Sequence, residues 1–349
     1  MLLLCLLFLR SAASAETLTL SFIGDCSIGQ AIQFEGYEGS YTEVLDAQGF
    51  DWPFSLVYPI LAADDFTFAN LEVVFTNRTK HQDKRYPLAA RPEYAQALLH
   101  TGIDAVNTAN NHAYDFFSEG YTDSMQTLDS LGMPHFGSFN LGTKTPQDQL
   151  FVTTVKGVTI GALGFSYPQD TDMKRVAARI QTLRDQGCDL VIASMHWGRE
   201  THLIHESYQT SYAKEIIKAG ADIVWGHHPH VIQPVQFYNG KPVLYSTGNF
   251  TFGTMSDVDP DTGIFQLEYD ISEGELTLTV FSVVPCRTQG HGDYRPYILT
   301  DEQERTAMFS KLIYKKESKG FENLPASFAS TGRVEFINGV MNNAPLDTP

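Results

Sequence analysis

Cysteine is scarce in this 349-residue chain: four residues, Cys5, Cys26, Cys188 and Cys286. Their wide spacing excludes the disulfide framework that staples small secreted domains, and contains no C-x-x-C metal knuckle. The last three are therefore expected to be small buried hydrophobes. Positive charge is also short, with 24 Lys and Arg against 41 Asp and Glu and a formal net charge of −17. That balance excludes a surface built for nucleic acid or an anionic membrane. An anionic ligand would need a local site where bound cations reverse the field. Internal repeats, low-complexity blocks and Pro/Gly/Ser linkers are missing between residue 16 and about 285. Solenoids and flexible arrays are thereby excluded, and the 43% hydrophobic content excludes disorder.

The apolar run Met1 to Leu9 is too short to span a bilayer. Arg10 and the small-residue stretch Ser11-Ala12-Ala13-Ser14-Ala15 follow it, giving the h-region and cleavage signal of a secretory leader. Residues 1–15 are accordingly expected to be a signal peptide, or an N-terminal anchor if uncleaved. The mature chain would be extracytoplasmic, secreted or associated with the cell envelope, and would touch membrane only through an uncleaved leader. No Cys stands at the cleavage point, so a lipoprotein anchor has no support. Residues 16–285 form the expected main domain. Residues 286–349 are a C-terminal extension of unread role, with one basic helical stretch, Asp301 to Lys316.

Within the main unit, strand-type runs alternate with helix-type runs. Thr17 to Ile23, Phe66 to Ala69, Asp104 to Thr108, Leu190 to Met195 and Asp222 to Trp225 read as strands. Pro53 to Ala63, Ala95 to His100, Glu119 to Leu131, Met173 to Gln186 and Ser207 to Ala219 read as helices. Lys156-Gly157 and Asn239-Gly240 mark hairpins, and the second half turns to antiparallel patterns at Ile264 to Tyr269 and Glu275 to Val284. This order predicts an α/β fold with two packed sheets and helices outside.

The polar residues of interest fall just after predicted strands, where open α/β sheets place their ligands. Asp25 follows the first strand, Asn70 and Glu72 the second, and Asn110-Asn111-His112 the third. His196 and the run His227-His228-Pro229-His230 follow the later two. Taken singly, Gly24-Asp25 also reads as a turn, Asn70-Leu71-Glu72 as a helix start and His196 as a core histidine. Three imidazoles within four positions have no such packing logic. The mixture of carboxylates, amides and imidazoles suits Mn, Fe or Zn, and two such ions held together clamp both oxygens of phosphoryl transfer.

Six motifs in order carry a resemblance: Phe22-Ile23-Gly24-Asp25, Ala69-Asn70-Leu71-Glu72, Ala109-Asn110-Asn111-His112-Ala113-Tyr114-Asp115, His196-Trp197-Gly198-Arg199-Glu200, Gly226-His227-His228-Pro229-His230 and Tyr245-Ser246-Thr247-Gly248-Asn249-Phe250. Over residues 17 to 285 the chain resembles the CapA family of poly-gamma-glutamate capsule biosynthesis proteins, which is similar in fold to the calcineurin-like metallophosphoesterases. The resemblance implies a four-layer α/β/β/α sandwich and one or two divalent ions. It implies Asp25, Glu72, Asn111, His196, His228 and His230 as metal ligands, with His227 able to take one of the last places. Glu72 would bridge two ions and His112 would contact phosphate or protonate the leaving group. The chain departs from the phosphoesterase pattern at Ser27, where a histidine is usual, and at Glu72, where an aspartate is usual. The first departure opens a mononuclear alternative.

Around these residues, Asp115 is a candidate to orient His112, while Asn70, Arg199, His227 and Asn249 are candidates to meet substrate. Lys84 and Arg85 lie in a polar loop, Asn77 to Arg91, that reads either as a binding loop or as a surface excursion. The leading expectation is an exported metal-dependent phosphoesterase-type hydrolase in capsule or cell-envelope polymer biosynthesis. It would act on an anionic polymer or phosphoester beside the capsule synthesis or export machinery. The alternative is a non-catalytic factor that binds or exports poly-gamma-glutamate through a degenerate site; hydrolysis of an amide is a third reading.

Overall fold

The computed structural model describes residues 16–139, 147–168, 172–253, 258–272 and 275–343. The expected leader, 1–15, lies outside the described residues. The alternating run at the start forms a 16-residue strand, Glu16–Ala31. Its first half turns Leu18, Leu20 and Phe22 into the space between two sheets. Beyond Phe22 its register with the neighbouring strand Phe66–Leu71 shifts, and Ile23, Cys26 and Ile28 pack on the opposite face. A bulge of this kind re-aims side chains. Gly24 is required there because a Cβ would overlap the Gly248 carbonyl oxygen, and Asp25 N donates to that oxygen at 2.8 Å.

Both sheets are mixed. In the first, Glu16–Ala31, Phe66–Leu71, Ala105–Asn107 and His135–Phe139 run parallel, and Asp261–Ser272 and Glu275–Thr288 extend it antiparallel. In the second, Val158–Ser166, Leu190–His196, Ile223–His227 and Lys241–Leu244 run parallel. Phe151–Val155 pairs antiparallel at one edge, and toward the other Val235–Tyr238 and then Phe321–Asn323 follow, each antiparallel to its neighbour. The two hairpins form at the expected dipeptides, with positive φ at Lys156, Gly157, Asn239 and Gly240. Between the sheets lies a core that includes Phe22, Phe68, Ile160, Ile192 and Trp225. The outer face of the first sheet is covered by Tyr41, Leu45, Leu61 and Leu128 from its helices. The outer face of the second is covered by Val176, Ile180, Leu183 and Ile216 from Met173–Asp185 and Ser207–Lys218. The order of layers is α/β/β/α. No helix among the described residues is long and apolar enough to cross a membrane.

Two expectations change. Pro53 to Ala63 forms two short helical pieces, Trp52–Phe54 and Tyr58–Leu61, each with a proline in its first turn, because proline starts a helix but cannot continue one. The C-terminal stretch holds more than the helix Glu302–Leu312. Pro296–Ile298, Phe321–Asn323 and Arg333–Ile337 pair with strands of the two sheets, Val340–Met341 pairs with the last of these, and residue 285 itself falls inside Glu275–Thr288. These strands are too short to show an alternation. Met308, Phe309, Leu312, Phe328, Val334 and Phe336 join the core between the sheets.

The Phe328 ring is fully buried, with ring centroids 5.7 Å from Phe281 and Phe309. Phe328→Ala is expected to destabilise the chain by about 3–5 kcal/mol in urea unfolding. The exposed control Lys315→Ala should stay within roughly 0.5 kcal/mol. Equal midpoints for both variants would contradict a C-terminal segment built into the core.

Candidate metal centre

The C-terminal ends of the parallel strands of both sheets meet at one point. Asp25, Asn70 and Asn107 share a register row across the first sheet, and His196 and His227 share one across the second. Past Ile223–His227 the backbone turns with φ of 101° at His228 and 60° at His230. Such values in non-glycine residues cost about 1–3 kcal/mol each and cluster at functional sites.

Asn70 clamps the two acids: its amide donates to Asp25 Oδ1 at 2.7 Å and to Glu72 Oε2 at 3.4 Å, and its own Oδ1 accepts from Asn107 at 2.8 Å. Glu72 is fully buried and its Oε1 has no hydrogen-bond partner among the described residues. That oxygen faces His112 Nε2 at 3.7 Å and His196 Nε2 at 3.8 Å. His228 Nδ1 is likewise buried and unpartnered. A buried polar atom without a partner carries its full desolvation penalty, and a carboxylate oxygen carries more than most.

Ligand atoms of Asp25, Glu72 and His230 lie within 4.8 Å of one another; so do those of Glu72, His196 and His228, and those of Asp25, His196 and His227. Glu72 is shared by the first two sets, the place of a bridging acid. The orphaned atoms and this donor chemistry fit one or two divalent ions. Asn111 Oδ1 sits with them, 2.8 Å from His196 Nε2.

Electrostatics agree. Burial and the nearby Asp25 charge push the Glu72 carboxyl well above its ordinary range. Burial works against Asp25 too, but the His230 contact outweighs it and holds that carboxyl low. For His230, burial is overcome by Glu72 and Asp25, which raise it to about 10. Burial holds His227 at about 4 and, with the charge of His230, His228 at about 3; His196 is well below its ordinary value for the same reasons. Three of the imidazoles are thus neutral at pH 7, the form that ligates.

Beside the centre, His112 Nδ1 lies 2.6 Å from Asp115 Oδ2. Asp115 also accepts from Lys84 Nζ at 2.5 Å and from Leu88 N at 2.8 Å, while Lys84 donates to Asn111 O at 2.8 Å. Asp115 therefore fixes the His112 ring so that Nε2 faces Glu72. A cleft of about 560 Å³ opens over His112, Asn111, His230 and Asn249, walled by Phe34, Tyr86, Leu88 and Phe252 with Lys84 and Arg85.

Asp25, Asn70, Glu72, Asn111, His112, Asp115, His196, His227, His228, His230 and Asn249 are brought together. Asn249 Oδ1 lies 2.9 Å from His230 Nδ1. His227 packs beneath the cluster, with Nδ1 2.8 Å from His196 Nδ1 and Nε2 2.7 Å from Ser194 Oγ. Arg199 stays apart: the turn at Gly198, φ 92°, sends its exposed guanidinium toward Glu206, 4.0 Å away. Ser27 turns from the centre, donating to Gly29 O at 2.7 Å and accepting from Gly253 N at 2.8 Å. Asn107 and Ser194 escaped the sequence reading. Asn107 shares the register row of Asp25 and Asn70 and ends its strand, a signal that was present.

Fold and centre together define a metallophosphatase-like α/β protein. The family described as "Bacterial capsule synthesis protein PGA_cap" matches residues 19–254, and the chain belongs to that family. The PGA biosynthesis protein CapA of Bacillus subtilis (strain 168) is 30% identical over 262 residues, a match that takes in 68% of this chain and spans only 64% of that relative's length. The capsule biosynthesis protein CapA of Bacillus anthracis is 27% identical over 327 residues, covering 87% and 75%. A solved structure of a hypothetical protein from Thermus thermophilus matches 77% of the chain and 98% of its own, with 15% identity and a TM-score of 0.48.

The neutral imidazoles set an acid limit. His227 and His228 lie below their unfolded value of 6.5, so the stability they contribute is complete above pH 6.5 and is lost as pH falls toward 4 and 3. With chelator present, the melting temperature is expected to drop from pH 7 to pH 4, and less steeply in His227→Gln. Identical profiles for the two proteins would contradict this.

Proposed function

We propose that the chain is an extracytoplasmic, metal-dependent hydrolase of the phosphoesterase type that serves capsule or cell-envelope polymer synthesis, with poly-gamma-glutamate as the polymer its CapA relatives suggest. One observation carries the chemical part: the buried, unpartnered Glu72 Oε1 shared by two sets of ligand atoms. Asp25, Glu72 and His230 would hold one divalent ion, and Glu72, His196 and His228 with Asn111 a second if two bind. A divalent ion in such a site polarises phosphoryl oxygens and makes water a nucleophile near neutral pH.

The chain's own groups supply the rest. His112 Nε2, on the cleft side, gives a proton to the leaving oxygen. Asp115 accepts from Nδ1–H and sets the angle of that ring, and Lys84 and Leu88 N hold Asp115. The donating form is the imidazolium, which keeps its Nδ1 proton on Asp115 when Nε2 gives up the other. Lys84 and Arg85 bring positive charge to an otherwise acidic protein where an anion would enter, beside the apolar wall of Phe34, Tyr86, Leu88 and Phe252. The secretory character of residues 1–15 supports action outside the cytoplasm, beside capsule synthesis or export machinery.

A second reading has one observation in its favour: the Ser27 hydroxyl is engaged with backbone at Gly29 and Gly253 and adds no imidazole to the ion beside Asp25. On that reading the chain binds or exports the polymer without cleaving it.

Protein purified without chelator is expected to carry stoichiometric Mn, Fe or Zn by elemental analysis and to hydrolyse a generic aryl phosphate. His228→Ala should abolish hydrolysis and lower the metal content, and His112→Ala should lower kcat by about 10²–10⁴-fold while keeping the metal. Metal-free protein that retains poly-gamma-glutamate equally well with and without chelator would select the second reading instead.

A further inference from the structure

Glu200 is the charged residue next to Arg199, yet the two side chains part. Arg199 points to solvent, whereas Glu200 lines the cleft with Asn111, His112 and His230. Its carboxylate lies within 4.8 Å of ligand nitrogens of both His228 and His230, which are themselves within 4.8 Å of each other. The backbone makes this placement a built one. Gly198 and Thr201 adopt φ of 92° and 62° on either side. Thr201 N donates to Pro229 O at 2.8 Å, tying the turn to the loop that carries His228 and His230. Tyr208 Oη accepts from Gly198 N at 2.6 Å, and His202 O accepts from Gln233 Nε2 at 2.7 Å.

A carboxylate in this position is poorly matched to an anionic substrate. It adds a third acid beside Asp25 and Glu72, and like charges so close are unfavourable without a cation among them. The neighbouring His228 Nδ1 is buried and has no partner. Ser27, the residue two past Asp25, offers no donor to the centre, its hydroxyl being engaged with backbone.

We propose that Glu200 is a metal ligand of this centre, adding a carboxylate on the side of His228 and His230 to the donors already named. The inference rests on the metal-centre reading above. It assigns the solvent-side ligand to the turn 198–202, on the strand end of the second sheet, so that the ion nearest the cleft is held by one exposed and exchangeable carboxylate.

The test is Mn²⁺ titration of the full-length, chelator-stripped protein by calorimetry and electron paramagnetic resonance, with thermal unfolding as a check on folding. Wild type should bind Mn²⁺ stoichiometrically. Glu200→Ala should weaken at least one Mn²⁺ by about tenfold to a hundredfold and change its resonance. Glu200→Asp should recover part of the affinity, and Glu302→Gln, an exposed acid on the C-terminal helix, should bind like wild type. Should Glu200→Ala fold poorly, the isosteric Glu200→Gln is expected to show the same loss. Affinities and spectra of a folded Glu200 variant equal to wild type would overturn the inference and leave the metal centre standing. Wild type that binds no Mn²⁺, Fe²⁺ or Zn²⁺ would overturn both.

Discussion

A carboxylate buried without a partner is the constraint around which this molecule is arranged. Glu72 lies at the meeting point of two sheets, with one oxygen on the Asn70 amide and the other facing only imidazole nitrogens. Left as bare charge beside Asp25, it would be strongly destabilising. The neighbourhood answers with donors fit for a cation: neutral imidazoles from one sheet, acids and amides from the other. Neither sheet has a complete set of ligands. The interface between the layers is therefore also what assembles the centre, and the apolar packing of Phe22, Phe68 and Trp225 directly behind it fixes the distances across.

That arrangement explains why the sequence was so legible in some places. The acids, amides and histidines sit at or within a few residues of the C-terminal ends of the predicted strands, and parallel strands put all such positions on one edge. Period-two alternation in Thr17 to Ile23 and the apolar run Leu190 to Met195 locate the strands, so the site follows from strand ends alone. What escaped was non-local. Nothing near Lys84 announces its bond to Asp115, 31 residues away. Asn107 was hidden inside a strand whose end was placed one residue too late. Arg199 and Glu200 are adjacent in sequence, and only the positive φ at Gly198 and Thr201 decides which of them enters the cleft.

The C-terminal segment was unreadable for another reason. Its strands are a few residues long, and their apolar residues make sense only against edges supplied by other segments. With these strands paired, the segment adds Phe336 from a strand and Phe309 and Phe328 from its helices to the core between the sheets. The acidic balance of the chain also takes a specific meaning. Lys84, which lines the cleft with Arg85, is held by Asp115, so on the proposed function an incoming anion would depend on Arg85 and on a cation held by the acids and histidines.

Anomalous scattering from crystals of protein purified without chelator tests the central claim most directly. The account predicts a transition-metal peak in bonding distance of Glu72 Oε1 together with His196 and His228, or with Asp25 and His230, and peaks at both positions if the centre is dinuclear. Ordered water alone at Glu72 Oε1, in crystals grown with added Mn²⁺ or Zn²⁺, would contradict it.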